Sequence, residues 1–154
     1  DIEYSIRIQT SGFRTGLIPQ AVVYHKRRTN FRQFYKQLHF FGRARINIYK
    51  HFPAELRLVH FFPAAFVLFL AAVILLNAIY LLTPVPVWWS SVAGVADWLL
   101  TAYVLLLFFH ACFKTRSLHI ALLAVAAAFT QLTAYGLGFT QDFWKRVIVD
   151  KTLL

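Results

Sequence analysis

Three long stretches of the chain are almost free of charged residues. No Asp, Glu, Lys or Arg occurs between Arg57 and Asp97, and none occurs from Ser117 to Gln141. A helix needs about 20 apolar residues to cross a bilayer, and the cores of soluble proteins seldom contain such runs. We therefore predict three transmembrane helices, at residues 58–82, 92–113 and 118–139.

The connections between these helices indicate which side of the membrane each end faces. Residues 83–86 separate the first two helices without carrying charge, and Trp88 and Trp89 are suited to the headgroup level. The next turn contains Lys114 and Arg116, which fall on the same side as the basic region before the first helix. Because cytoplasmic loops of membrane proteins are rich in Lys and Arg, this arrangement predicts a cytoplasmic N-terminal part.

The C-terminal tail, residues 140–154, leaves two arrangements open. Three complete crossings put the Lys and Arg residues of this tail on the outer side, which the same charge rule disfavours. Either the two Asp residues of the tail make that position tolerable, or the chain bends back near Gly136 and Gly138. We expect three complete crossings.

Residues 29–57, before the first predicted span, form an amphipathic pattern. Asn30 and Gln33 are suited to a capping box at its start. Steps of three or four residues then place apolar side chains on one face and mainly basic ones on another. The apolar face contains Phe31, Phe34, Leu38, Phe41, Ile48 and Phe52. The other face contains Arg32, Lys36, His39, Arg43, Asn47 and Lys50. We predict a basic helix that lies in the plane of the membrane interface.

This basic region also decides what the net charge of +10 implies. Nine Lys or Arg residues and one Glu lie between Lys26 and Arg57, directly before a predicted span, where anionic lipid is the nearest partner. We therefore expect contact with anionic membrane lipid and no nucleic-acid partner. The residues expected to contact the lipid surface are Arg32, Lys36, Arg43 and Lys50.

The composition agrees with a membrane protein, because 59% of the residues are hydrophobic and only 14% are charged, against about 25% in soluble domains. Cys112 is the only cysteine, so no disulfide framework is possible. The six histidines are scattered without metal-ligand spacing, and no Gly-rich phosphate loop occurs. Within the spans Asp97 is the unusual acid, whereas a set of uncharged polar residues is expected to form hydrogen bonds between helices. These are Asn77, His110, Thr130, Gln131 and Thr133.

Residues 1–28 have the pattern of the edge of a water-soluble domain. They predict one helix as far as Thr10, a stop at Gly12, and short extended pieces at residues 17–19 and 21–24. One helix and two short strands cannot enclose a core, and the chain contains no methionine. We expect the chain to be the C-terminal part of a longer protein.

Several motifs in the first 45 residues resemble the membrane-bound family 2 glycosyltransferases of the GT-A type. The segments are Asp1-Ile2-Glu3-Tyr4-Ser5-Ile6-Arg7, Gly12-Phe13-Arg14 and Ile18-Pro19-Gln20-Ala21-Val22-Val23-Tyr24-His25. In order and spacing they are similar to the end of that family's catalytic domain. The later segment Phe34-Tyr35-Lys36-Gln37-Leu38-His39-Phe40-Phe41-Gly42-Arg43-Ala44-Arg45 resembles the Gln-x-x-Arg-Trp region, in the version found in exopolysaccharide (succinoglycan-biosynthesis-like) enzymes.

The resemblance implies the C-terminal membrane-anchoring part of an inverting glycosyltransferase, which moves a sugar from a nucleotide-sugar donor to a lipid-linked or polysaccharide acceptor. The implied fold is mainly α and membrane-bound: the edge of a GT-A α/β domain, an amphipathic interface helix and about three transmembrane helices. The implied location is a bacterial-type inner or plasma membrane. The full-length enzyme is expected to use Mg²⁺ or Mn²⁺. The residues present lack the donor-binding half, so alone they are expected to bind neither metal nor donor and to be inactive.

Three residues receive roles from the resemblance. Asp1 matches the general base that takes the proton of the acceptor hydroxyl, a role that suits a carboxylate within hydrogen-bond reach. His25 matches a position that in some members reaches the metal-bound diphosphate, although a histidine held by hydrogen bonds at a strand end is an equal alternative. Gln37 matches a residue that lines the acceptor site. Phe40 and Phe41 stand where the motif has Arg and Trp, which favours addition of a single sugar over processive synthesis.

A second interpretation needs no enzyme. The same chain is then a polytopic membrane subunit with a basic lipid-docking helix. In that case Asp1 caps the first helix, and Glu3 and Arg7 form an ion pair one helical turn apart.

Overall fold

The computed structural model describes residues 2–25 and 30–149, and within these ranges the regular structure is entirely helical. The five α-helices are α1 (Ile2–Thr10), α2 (Phe31–His51), α3 (Phe62–Leu82), α4 (Val87–Thr115) and α5 (Leu118–Phe143). Two 3₁₀ turns, Pro53–Glu55 and Leu58–Phe61, connect α2 to α3, and Trp144–Val149 continues α5 as a π-helical end.

The short extended pieces expected at residues 17–19 and 21–24 do not form strands. Leu17, Val23 and Tyr24 are almost fully exposed, and no other strand occurs in the described part of the chain. A strand needs a neighbour for its backbone hydrogen bonds, and none is present there. The helix expected before them is confirmed as α1. It ends where Gly12 adopts the left-handed conformation (φ 83°) that favours glycine.

Among the described residues, three helical segments are long and apolar enough to cross a membrane, as the sequence predicts. They are Leu58–Leu82, Val87–Thr115 and Leu118–Val149. The first has the predicted bounds, and the other two are longer than predicted. Pro86 precedes the first residue of α4, a position that proline tolerates because the helix needs no amide donor there. Few of the side chains in these segments are buried within the chain, as expected for helices whose surroundings are lipid.

Helices α3 and α4 form an antiparallel pair. Near the connection that joins them, the indole Nε1 of Trp89 donates to the carbonyl of Leu76 (3.2 Å). Deeper in the pair, the side-chain amide of Asn77 donates to Asp97 Oδ1 (2.9 Å), which confirms an interhelical role for Asn77. The C-terminal end of α4 therefore lies at the end of the pair where α3 begins.

Helix α5 crosses this pair instead of extending along it to the loop at residues 83–86. The Phe129 ring lies 5.5 Å from that of Phe66 in α3 and 6.1 Å from that of Tyr103 in α4, measured between ring centroids. Further along α5, Gly136 lies against the backbone carbonyl of Pro63, in the first turn of α3.

The end of α5 therefore lies beside the beginning of α3, where the Phe139 ring packs edge-on against Phe61 at 5.1 Å. Both ends of α5 thus lie toward the same end of the α3–α4 pair, so the third complete crossing expected from the sequence disagrees with this packing. The bend considered at Gly136 and Gly138 does not occur, since α5 is one continuous helix through both residues.

The hydroxyl groups of Thr130 and Thr133 do not join helices, contrary to expectation. Each donates to a carbonyl one turn earlier in α5, that of Ala126 (2.8 Å) and that of Phe129 (2.6 Å). Threonine reaches this acceptor within its own helix, so the hydroxyl is satisfied locally and needs no partner on another helix.

Candidate functional site on helix α2

Helix α2 begins where the sequence predicts. The side chain of Asn30 accepts a hydrogen bond from the backbone amide of Gln33 (2.9 Å), which is one half of the predicted capping box. Such a cap satisfies one of the amides left without a partner in the first turn. The helix is 21 residues long and ends at His51, so the basic residues from Arg32 to Lys50 lie on one continuous helix.

The face of α2 that packs against α5 lies between the two faces that the sequence predicts. Its centre is Gly42 and Ile46, both buried, with Ile46 fully excluded from solvent. At 3.6 residues per turn this face separates the predicted apolar face from the predicted basic one. Hydropathy did not reveal it, because a glycine at the closest approach contributes no apolar side chain to the pattern.

Glycines on both helices bring the two backbones together. A Cβ added to Gly42 would collide with the carbonyl oxygen of Tyr135 and the amide of Phe139. A Cβ added to Gly138 would collide with the carbonyl oxygen of His39. Small residues at such positions allow close packing of helices, which is the main source of helix association in membranes. The glycines of α5 therefore serve contact with α2 and α3.

A buried carboxylate joins α2 to the end of α5. Asp142 is 1% exposed, and its Oδ1 accepts a hydrogen bond from Arg43 Nε at 2.9 Å. Its Oδ2 lies 3.1 Å from Arg146 Nε, an ion pair without hydrogen-bond geometry. A buried charge requires such compensation. The amphipathic pattern predicts Arg43 as a lipid contact and does not pair it with a carboxylate. The signal for such a partner is Asp142, which directly follows a long charge-free run.

The opposite side of α2 faces outward and carries two adjoining grooves. The first has a volume of about 430 Å³ and is lined by Gln33, Lys36, Gln37, Phe40 and Phe41. The second, of about 580 Å³, shares Phe40 and Phe41 and also includes Glu3 of α1. Glu3, from the segment that resembles part of a catalytic domain, and Gln37, which matches an acceptor contact, therefore line neighbouring grooves.

The remaining predicted site residues lie as follows. Asp1 is outside the described residues. His25 is exposed, as are Arg32 and Lys36, whereas Gln37 and Lys50 are half-buried. The Nζ atom of Lys50 is shielded from solvent and has no hydrogen-bond partner among the described residues.

Two further findings concern an ion pair in α1 and the possibility of a metal site at His25. The ion pair expected between Glu3 and Arg7 is confirmed at 2.7 Å. Within residues 2–25 and 30–149, no group of three His, Cys, Asp or Glu side chains comes together that could hold a metal ion. His25 therefore has no neighbouring ligands in the described part that would complete such a metal site.

Comparison with protein-family models, characterised proteins and solved structures finds no match.

Proposed function

We propose that this chain is the C-terminal membrane-anchoring part of an inverting glycosyltransferase, which transfers a sugar from a nucleotide-sugar donor to a lipid-linked or polysaccharide acceptor. One observation carries the proposal: Gln37 and Glu3 line adjoining grooves that share two aromatic side chains. Glu3 belongs to the segment whose resemblance assigns the general base to Asp1. The adjoining grooves are consistent with one continuous acceptor surface.

The proposed sugar transfer assigns a role to four residues of this chain. Asp1 takes the proton from the acceptor hydroxyl as that oxygen attacks the sugar carbon from the side opposite the nucleotide. Gln37 positions the acceptor through its side-chain amide, which can both donate and accept hydrogen bonds. Phe40 and Phe41 supply flat apolar surface beside it. Any Mg²⁺ or Mn²⁺ that binds the donor diphosphate would be held by residues outside those described.

The packing of α2 supports an anchoring role. Gly42 and the Arg43–Asp142 ion pair fix α2 to α5, so the outward grooves have a fixed position relative to the membrane. Exposed Arg32 and Lys36 remain available to anionic headgroups, each worth about 1 kcal/mol near a charged surface. We propose a bacterial-type inner or plasma membrane location, with α2 on the cytoplasmic side.

The second candidate is a non-enzymatic membrane subunit with a lipid-docking helix. The exposure of Arg32 and Lys36 favours lipid docking whether or not the protein is an enzyme. The two candidates differ in what they require of Gln37, because a docking helix has no need of a neutral amide in an outward groove.

Transfer of labelled sugar from a panel of nucleotide sugars, in membranes that contain the full-length protein, tests the proposal. Replacing Gln37 by Ala should lower transfer and raise the acceptor KM, because the amide that orients the acceptor is lost. Gln141→Ala is a matched control, since Gln141 is exposed on α5 outside both grooves. Absence of transfer from every donor would favour the non-enzymatic subunit.

A further inference from the structure

A second pocket, separate from the outward grooves, lies where α2, the start of α3 and α5 meet. Its volume is about 280 Å³, just below the range for small-ligand sites (roughly 300–1,000 Å³). Four polar side chains line it, together with apolar residues that include Val59 and Leu132. The polar residues are Arg45, His60, Gln131 and Tyr135. We call it the Arg45 pocket.

Arg45 is a cation that the amphipathic pattern does not explain. It lies on the predicted apolar side of α2, away from the basic face, and is only half-exposed. Glu55 and Arg57 are close enough to act electrostatically on His60, as Arg45 does. Yet Glu55 and Arg45 form no ion pair within the part of the chain that the structure describes. A guanidinium with this little exposure, lining a cavity without a carboxylate partner, favours an external anion.

His60 adds a hydrogen-bond donor whose direction is fixed. Its Nδ1 accepts from the backbone amide of Arg57 (3.0 Å), so the neutral imidazole carries its proton on Nε2. Gln131 and Tyr135, one turn apart on α5, add an amide and a hydroxyl that can also donate. The pocket is therefore rich in donors and carries a positive charge, which is the chemistry that binds phosphate.

The position of the pocket indicates where that phosphate comes from. His60 lies in the 3₁₀ turn Leu58–Phe61 immediately after Arg57, the last charged residue before the first apolar span. This is the level at which lipid headgroups meet the hydrocarbon core. Val59 is 68% exposed beside the pocket, so an apolar path extends from the polar residues to the surrounding lipid.

We propose that the Arg45 pocket binds the phosphate of a membrane phospholipid. Arg45 and His60 Nε2 hold the phosphate oxygens, and the acyl chains extend past Val59 and Leu132 into the bilayer. The proposal does not depend on glycosyltransferase activity, because it uses neither Asp1 nor Gln37.

Native mass spectrometry of the purified protein, titrated with dioleoyl phosphatidate, tests this site. Dioleoylglycerol, which has the same chains without the phosphate, is the ligand control. The variant Arg45→Gln/His60→Ala should bind phosphatidate at least about tenfold more weakly, since it loses hydrogen bonds to a charged phosphate group. The matched control Lys114→Gln/His119→Ala removes one cation and one histidine, both exposed, near the α4–α5 turn, and should change affinity less than about twofold.

A conservative variant separates loss of the binding site from misfolding of the protein. Arg45→Lys keeps the charge but replaces a planar fork with a point charge, so it should still weaken binding measurably. Equal losses in the pocket and control variants, unchanged binding in Arg45→Lys, or equal affinity for phosphatidate and dioleoylglycerol would each overturn the proposal. Displacement of the lipid by millimolar inorganic phosphate would also overturn it, because the ligand would then be free phosphate.

Discussion

Arg43 Nε lies 2.9 Å from Asp142 Oδ1, and this contact between α2 and α5 joins two residues that are 99 positions apart in the sequence. The carboxylate is buried while the arginine side chain is 43% exposed, so the two partners are desolvated to very different extents. Asp142 carries most of the desolvation cost, and Arg43 and Arg146 together offset it. Because this desolvation cost offsets much of the attraction, the main effect of the ion pair is to fix the position of α2 on α5. Its net contribution to the free energy of unfolding is smaller.

Replacing Arg43 should show how much the buried charge of Asp142 depends on it. Arg43→Gln leaves Asp142 with Arg146 alone and should lower the free energy of unfolding by about 1–2 kcal/mol, reduced from the fully buried case by the exposure of Arg43. In an Asp142→Asn background the same change should cost much less, because no buried charge remains to compensate. Denaturant titration in detergent micelles measures both differences.

The exposed Arg32 provides the control for this cycle, since Arg32→Gln removes the same charge from α2 without touching α5. An equal cost for Arg43→Gln in both backgrounds would mean that the arginine and the carboxylate are not coupled.

Gly42→Ala should separate α2 from α5. The added Cβ meets the backbone of Tyr135 and Phe139, which cannot rotate away, so the helices must shift at a cost of about 1–3 kcal/mol. Gly94→Ala in α4 is the matched control, because a Cβ there meets nothing within 4 Å. By helix propensity alone it should be neutral or stabilising by up to about 1 kcal/mol.

Thermal unfolding of the two alanine variants measures whether Gly42→Ala destabilises the protein while Gly94→Ala does not. A disulfide cross-link between α2 and α5, introduced in a Cys112→Ala background, reports whether the helices have moved apart. Equal stability of the two variants would show that the close approach at Gly42 does not hold α2 in place.

The sequence predicts the membrane helices better than it predicts how they meet. Charge-free runs determine which helices can enter lipid, because a bilayer selects on length and apolarity. The contacts between helices depend on Gly42, Gly136 and Gly138, whose contribution is the absence of a side chain, and no hydropathy pattern registers it. Partners such as Asp142 and Arg43 are far apart in the sequence, so only the fold brings them together.

The packing of α5 predicts the side of the membrane on which the chain's end lies. Arg43 on α2 and Arg146 at the end of α5 share one carboxylate, so they must face the same side. Single cysteines introduced at Gln33, Thr115 and Lys145 should therefore react with an impermeant thiol reagent from the cytoplasmic side. A cysteine at Ser90 should react from the other side.

For this labelling Cys112 is first replaced by Ala, so that each protein has one thiol. Labelling of Lys145 together with Ser90 would mean that α5 crosses the membrane completely, which would contradict the arrangement of α2 and α5. The charge distribution agrees with a cytoplasmic end, because the basic residues of the tail then join those of α2 on one side.

Asp1 gives the most direct test of the proposed chemistry. If it is the general base, Asp1→Asn in the full-length protein keeps the size of the side chain and its ability to cap a helix, but removes the proton acceptor. Turnover should fall by about 10²–10⁴-fold, the contribution of a positioned acid or base. Donor affinity should change little, because the proton is taken from the acceptor.

Measuring turnover and donor affinity on the same preparation separates the base from a simple helix cap. Glu55→Gln is the control, since it removes a carboxylate in the 3₁₀ turn Pro53–Glu55 that lines neither of the two outward grooves. Turnover in Glu55→Gln should therefore stay near normal. Near-normal turnover in Asp1→Asn as well would exclude Asp1 as the base, because an asparagine can replace a cap but cannot accept the proton.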